Sequence, residues 1–241
     1  MKKYWDDLSK KLNITFDNTI IIGGKGPSLD IFIKNYELYS KFKKISLNDS
    51  FFNDDIKYDY MIIGDSQNSV ATLKMNTSYK YNKYLLSKIH KHYSNIDQSD
   101  SNSHIKIIIQ KAKEKNLKVI LAINKFNPFW NQPVKWAKEN NMYDDFINFG
   151  PGHIDINKNV FDKSNYCGCT GSTVAHIAIM YVIRKKYKNI LLTGISCDNP
   201  IVKPEYITLV QQIKKYYPDV NLICLYPSDN TKNVLHYDIN E

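Results

Sequence analysis

The sequence predicts an α/β protein built on a mainly parallel, doubly wound sheet with helices on both faces. Short runs rich in Ile, Leu and Val recur along the chain, and each run is continuous rather than alternating with polar residues. Such runs are typical of strands that are buried on both faces, as in parallel sheets. Amphipathic stretches of helical length separate the runs, and this alternation indicates repeated strand–helix–strand units.

Each strand is predicted from a compact apolar run and each helix from apolar spacing of three and four residues. The predicted strands are residues 19–23, 44–47, 60–64, 118–123, 189–193 and 221–225. The predicted helices are residues 28–42, 81–93, 103–115, 133–140, 172–187 and 203–216. The chain is therefore predicted to be a single Rossmann-like domain over residues 1–241, with the polar stretch 66–103 as a candidate lid or insertion.

Size and charge restrict the class of protein. With 241 residues and 43% hydrophobic residues, the chain can bury a substantial core. The net charge of +9 favours anionic partners, but the lysines are spread along the chain and no nucleic-acid motif is present. No apolar run approaches the roughly 20 residues of a membrane-spanning helix, and no signal peptide is visible. We therefore expect a cytoplasmic protein, with peripheral contact with an anionic membrane surface left open.

The four cysteines are expected to be reduced thiols. Their spacing does not match that of a zinc site, and Cys224 lies in an apolar strand pattern that predicts a core position. No Asp-X-Asp metal motif occurs either. The sequence therefore predicts no metal site.

The first candidate site is the glycine-rich loop that follows the first predicted strand. Gly24 and Gly26 leave out the Cβ atoms that would hold a ligand away from the backbone, and Lys25 can neutralise a phosphate. Ser28 stands at the start of a predicted helix, where N–H groups and the helix dipole favour anions. The loop matches neither the Walker nor the dinucleotide fingerprint. It predicts nucleotide or phosphate binding, with an ordinary strand-to-helix turn as the alternative.

A second small-residue loop precedes the long apolar helix of residues 172–187. Thr170 and Ser172 offer hydroxyls, and Gly171 leaves room for a ligand. Close helix–strand packing is the alternative explanation. Asn48 and Asp65 follow the second and third predicted strands, at the edge of the sheet where α/β proteins bind their ligands. We expect the two loops to converge there on the anionic part of a nucleotide.

Several segments resemble a known family of enzymes. They are Gly-Lys-Gly-Pro-Ser-Leu at 24–29, Leu-Asn-Asp at 47–49, Thr-Gly-Ser at 170–172, Lys-Asn-Ile-Leu-Leu-Thr-Gly-Ile at 188–195 and the closing segment 222–228. In this order they resemble the bacterial lipooligosaccharide sialyltransferases of glycosyltransferase family 42. The flagellin-modification motility-associated factors and the archaeal pterin pyrophosphokinases share the first loop and the later Ser/Thr-Gly-Ile segment.

The resemblance implies transfer of a sugar from a nucleotide sugar, most plausibly CMP-linked, to the hydroxyl of a glycan acceptor, without a metal or other cofactor. The nucleotide contacts that it implies are Gly24, Gly26, Ser28, Asn48, Asp65, Thr170, Gly171 and Ser172. The chain departs from the family at Asp65, where the family has Asn, and at Cys167, where it has Arg. The region 196–205 also contains no His, although the family carries a catalytic lid His there.

The catalytic base is therefore predicted from the residues themselves. His153 follows Gly150, Pro151 and Gly152, and Asp155, two residues later, could orient its imidazole. Asp198, after the fifth predicted strand, is the carboxylate alternative, whereas His176 in the apolar helix is expected to be a core residue. Two other functions stay open. One is a Mg²⁺-dependent pyrophosphokinase or phosphotransferase with the metal on Asp65 or Asp198, and the other is a nucleotide-binding protein without catalysis.

Overall fold

The protein contains one open, all-parallel sheet. The computed structural model describes residues 2–26, 28–64, 101–124, 131–149, 166–167, 174–195 and 202–226. Within these residues the sheet has eight strands in the order β6-β5-β4-β3-β2-β1-β7-β8, and every neighbouring pair is parallel. The predicted α/β, Rossmann-like fold class is confirmed.

Helices and strands alternate along the described part of the chain. The strands are β1 (Thr19–Gly23), β2 (Lys43–Leu47), β3 (Tyr60–Ile63), β4 (Lys118–Asn124), β5 (Asp145–Phe149), β6 (Tyr166–Cys167), β7 (Asn189–Thr193) and β8 (Asn221–Cys224). The helices are α1 (Lys2–Lys11), α2 (Ser28–Lys34), α3 (Ser101–Glu114), α4 (Asn131–Glu139), α5 (Val174–Arg184) and α6 (Val202–Tyr216). Short 3₁₀ helices occupy Tyr36–Tyr39 and Asn48–Phe52.

Both faces of the sheet are covered, which explains why the strand sequences are apolar without alternation. In β1, Ile20 and Ile22 belong to a core shared with α5 and α6, whereas Ile21 belongs to a second core shared with α1, α2, α3 and α4. Successive strand residues point to opposite faces, so a strand between two helical layers needs an apolar residue at every position. Ile190 and Leu191 of β7 divide between the two cores in the same way.

Four elements differ from the sequence prediction, and one of them is the two-residue strand β6, which was not predicted. Helix α1 was not predicted, although Trp5 and Leu8 bury its apolar side. Strand β5 was also missed, because Asp145 and Asn148 interrupt its apolar residues and only Ile147 is fully buried in its centre. The predicted helix 28–42 ends at Lys34 as an α-helix and continues as a 3₁₀ helix. The Asn35 side chain donates to the Ile31 carbonyl at this break, a local bond of the kind by which Asn competes with regular helix.

Some sequence predictions fall where the structure offers no description. The helix 81–93 and nearly all of the candidate lid 66–103 lie outside the described residues, and residues 101–103 begin α3. Cys224 is buried, as predicted. In the described ranges, none of the helices combines the length and the apolar character that crossing a membrane requires.

Candidate nucleotide site at the carboxyl edge of the sheet

The topological switch point of the sheet lies between β1 and β7. The chain runs from β1 through β2 to β6 on one side and then returns with β7 on the other side of β1. In open α/β sheets, ligands bind beyond the carboxyl ends of the strands at such a point. The predicted glycine loop leaves β1 here, beside the end of β7.

The glycine loop is joined to the end of β7 by two backbone hydrogen bonds and one bond to a side chain. Gly24 N–H donates to the Thr193 carbonyl at 2.8 Å, and Gly26 N–H donates to the Gly194 carbonyl at 2.6 Å. In return, Gly194 N–H donates to the Ser28 hydroxyl oxygen at 2.9 Å. The loop is therefore a rigid part of the sheet edge, and its conformation is set before any ligand binds.

These contacts change the explanation for the glycines. A Cβ atom on Gly24 would lie 2.3 Å from the Gly194 carbonyl oxygen, and one on Gly26 would lie 2.9 Å from the same oxygen. Gly194 itself has a φ of +63°, which favours glycine. The sequence interpretation assigned the missing Cβ atoms and both N–H groups to a ligand. In the structure, the carbonyls of Thr193 and Gly194 accept these two N–H bonds. The Gly194 backbone occupies the space that Cβ atoms on Gly24 and Gly26 would need.

The 3₁₀ helix Asn48–Phe52 forms hydrogen bonds with residues at the carboxyl ends of β1, β2 and β3. Asn48 adopts a left-handed φ of +51°, and its Oδ1 accepts a hydrogen bond from Gly64 N–H at 3.2 Å. Ser50 donates its hydroxyl to the Gly23 carbonyl at 2.9 Å and accepts from Leu47 N–H. Asn48 is therefore placed at the predicted site, where its side chain has a structural partner.

Replacing Asn48 with Gly should destabilise the fold by about 2 kcal/mol, because the buried Gly64 N–H loses its acceptor while the backbone conformation stays allowed. Asn13 provides a matched control, since it also has a positive φ of 47° but lies exposed, with no side-chain hydrogen bond in the described structure. Asn13→Gly should change stability little. Urea unfolding of both variants measures the difference, and equal effects would contradict the role of the Asn48 amide.

A nearly buried ion pair lies beside the loop. Lys25 Nζ is 2.7 Å from Asp49 Oδ1, and the side chains are 14% and 0% exposed. The second carboxylate oxygen, Oδ2, has no hydrogen-bond partner among the described residues. The carboxylate of Asp49, which follows β2, therefore holds the Lys25 ammonium group beside the switch point of the sheet.

The helix that follows the second loop begins at the same edge of the sheet. A Cβ atom on Gly64, just past β3, would lie 2.7 Å from Cγ2 of Val174, the first residue of α5. Helix α5 therefore begins beside the end of β3, two strands from β1. The predicted residues Thr170, Gly171 and Ser172 of the second loop lie outside the described residues, as do Asp65, His153 and Asp198.

His176 is a core residue, as predicted. It is fully buried in α5, and its ring centroid lies 4.0 Å from that of Tyr206 in α6. Burial lowers the pKa of His176 to about 3, so the imidazole is neutral at physiological pH. It contributes packing rather than charge to the helix layer behind the site.

Sequence reasoning assigned a role to five residues of this edge, Gly24, Lys25, Gly26, Ser28 and Asn48, but assigned none to three others that lie beside them. Asp49, Gly64 and Gly194 each determine the geometry described above. Asp49 stood within the polar Asn-Asp-Ser segment after the second strand, and that segment was the available signal. Within the described part of the chain, no three His, Cys, Asp or Glu side chains gather as a metal site would require.

Comparison with known proteins gives a weak structural likeness. No protein-family model matches the chain, and no curated protein matches it. A solved structure of a MAf glycosyltransferase from Magnetospirillum magneticum AMB-1 is similar with a TM-score of 0.47 and 13% sequence identity. The similarity covers 87% of this chain but 32% of that protein, so the chain spans about a third of its length.

Proposed function

We propose that the chain binds a nucleotide sugar at the carboxyl edge and transfers the sugar to an acceptor hydroxyl, as a glycosyltransferase. The observation that carries the proposal is the position of Lys25, an ammonium group paired with Asp49 at the switch point of a parallel sheet. Ligands of such sheets bind at this place. The resemblance of the sequence to family 42 supports a CMP-linked donor.

Lys25 would bind the phosphate of the donor. Its partner Asp49 is fully buried and keeps the ammonium group in one position. A fixed cation placed where negative charge develops stabilises a departing phosphate without reorganisation. The Ser28 hydroxyl accepts from Gly194 N–H, and its own proton has no acceptor among the described residues, so it could donate to the same phosphate.

The reaction would exchange one bond for another at the anomeric carbon. The acceptor oxygen forms a bond to this carbon, the bond to the phosphate oxygen breaks, and a base takes the acceptor proton. We propose His153 as this base and Asp198 as the alternative. Thr170, Gly171, Ser172 and Asp65 would complete the nucleotide contacts, whereas Gly24, Gly26 and Asn48 would shape the site through their bonds to Thr193, Gly194 and Gly64.

One observation favours a second candidate, a Mg²⁺-dependent phosphotransferase. The Oδ2 atom of Asp49 is buried without a hydrogen-bond partner in the described structure, and a carboxylate oxygen is a preferred Mg²⁺ ligand. Asp65 or Asp198 would supply further ligands in that case. The two candidates differ in whether nucleotide binding depends on the metal.

The test is a thermal-shift panel of CMP, CDP, UDP, GDP and ATP, with and without Mg²⁺. The first proposal expects stabilisation by CMP without metal, and release of CMP from a CMP-sugar when an acceptor is present. Stabilisation by ATP only with Mg²⁺ would support the second candidate instead. Binding of CMP without turnover of a donor would indicate a nucleotide-binding protein, and no stabilisation by any nucleotide would contradict all three.

Neutralising the ion pair should weaken nucleotide binding at least about tenfold, which corresponds to about 1.4 kcal/mol. The variant is Lys25→Met with Asp49→Asn, because the double change leaves no unpaired buried charge. The control is Lys113→Met with Asp144→Asn, which neutralises a pair 2.6 Å apart at the opposite edge of the sheet. Isothermal titration with CMP measures both, and an unchanged affinity in the first variant would exclude Lys25 as the phosphate contact.

A further inference from the structure

A cavity lies at the amino edge of the sheet, at the opposite ends of the strands from the candidate nucleotide site. It has a volume of about 540 Å³ and is lined by the beginnings of β3, β4 and β5 together with the last turn of α5. Pockets of a few hundred Å³ are of the size that small-molecule ligands occupy. Ligands of open α/β sheets bind at the carboxyl edge, so the fold by itself does not indicate a ligand for a cavity at the amino edge.

The cavity has an apolar and aromatic part beside its charged side chains. Ile20, Ile45 and Ile120 line it from the sheet, and the rings of Tyr60, Tyr181 and Tyr187 line it from the sides. Tyrosine rings offer large contact areas to flat ligands at low cost in conformational entropy. This lining fits a planar aromatic molecule better than a sugar or a peptide chain.

Both carboxylates of the cavity already have donors. Asp145 accepts from Lys185 Nζ at 2.6 Å and from the Tyr181 hydroxyl at 2.8 Å. Asp144 accepts from Lys113 Nζ at 2.6 Å and from Val119 N–H at 2.7 Å. The charges of both carboxylates are thus already paired with lysines, so a cationic ligand would compete with Lys185 and Lys113 for them.

One lysine at the cavity has no carboxylate in direct contact among the described residues. Lys118 lies with its ammonium group 5.8 Å from the centre of the Tyr60 ring and makes no ion pair with any described residue. Lys43 lies near the Tyr187 hydroxyl outside the cavity lining, and its pKa is raised by Tyr187, by Tyr60 and by Asp17. An anionic group on a ligand would form an ion pair with the Lys118 ammonium group.

We infer that this cavity, formed by Tyr60, Tyr181 and Tyr187 with Lys118 at its rim, binds a small planar aromatic anion. The aromatic body lies against the tyrosines and isoleucines, and the anionic group pairs with Lys118. The site is independent of the carboxyl edge, because its lining residues stand at the opposite ends of the same strands. It therefore provides a second ligand site whether or not the proposed glycosyl transfer occurs.

Two fluorescent probes that differ in charge test the inference on the full chain. One is 8-anilinonaphthalene-1-sulfonate, an aromatic anion, and the other is N-phenyl-1-naphthylamine, its neutral analogue. We expect saturable binding of the anion to one site per chain, and Lys118→Met should weaken it about fivefold while leaving the neutral probe unchanged. The control Lys135→Met changes a 77% exposed lysine of α4 and should affect neither probe.

A wall variant and a competitor complete the test. Tyr187→Ala should weaken both probes, because it removes one aromatic wall. The inference is overturned if the wild-type chain does not bind the anion saturably, if Lys118→Met leaves its affinity unchanged, or if CMP displaces it. Lys118→Met should also leave CMP binding unchanged, so failure of this inference and failure of the proposed function give different results.

Discussion

The Gly24→Ala variant is expected to unfold with a free energy about 3 kcal/mol or more below that of the wild-type chain. The added Cβ would lie 2.3 Å from the Gly194 carbonyl oxygen, an atom of the backbone. A side chain can rotate away from such a contact, but a carbonyl at the end of β7 cannot. Relief requires the loop to separate from β7, and this breaks the bond from Gly24 N–H to the Thr193 carbonyl.

Gly64 offers a matched comparison, because the same substitution there meets a side chain. Its Cβ would lie 2.7 Å from Cγ2 of Val174. Gly64→Ala should therefore be destabilising by itself but less so when Val174 is already replaced with Ala, because the 2.7 Å contact is removed and the 3.1 Å contact with the Cβ of residue 174 remains, as a double-mutant cycle would show. Urea unfolding measures all four variants, and a Gly24→Ala chain within about 1 kcal/mol of wild type would disprove the backbone contact.

Acid should destabilise the protein through His176. Its pKa is lowered by burial from 6.5 to about 3 in the folded chain. Above pH 6.5 the imidazole is neutral in both states and contributes no pH dependence. Below pH 6.5 the unfolded chain takes up a proton that the folded chain refuses, so stability falls by about 1.4 kcal/mol per pH unit until the folded pKa is reached.

His176→Leu removes this contribution, and its stability should fall less steeply between pH 6.5 and 4.5. The difference in slope between wild type and variant isolates His176 from the carboxylates, which titrate in both chains. Met180→Leu, at another fully buried position of α5 that does not titrate, should keep the wild-type slope. Urea midpoints at pH 7.5, 6.5, 5.5 and 4.5 supply the data, and parallel pH profiles for wild type and His176→Leu would contradict the prediction.

The sequence predicted where the glycine loop lies in the fold, but not the backbone segment that its glycines contact. The clustering of Gly24, Lys25 and Gly26 after an apolar run correctly located the loop at the carboxyl edge. The partner of the loop was not predictable, because Gly194 lies about 170 residues later and no local pattern joins the two segments. Only the pairing of β1 with β7 reveals that the glycines accommodate another backbone.

The sequence alone determined the fold class and most of the strands of this protein, since burial on both faces demands continuous apolar runs that are visible residue by residue. It did not determine the short or polar elements β5, β6 and α1. In β5 and α1 few residues are buried, and the elements that pack against them in space determine which ones. Tertiary structure alone decided that Lys25 meets Asp49, that Asn48 binds Gly64, and that three tyrosines surround a cavity with Lys118. Such contacts depend on strand order and register, which bring together residues that are far apart in the chain and carry no shared local signal.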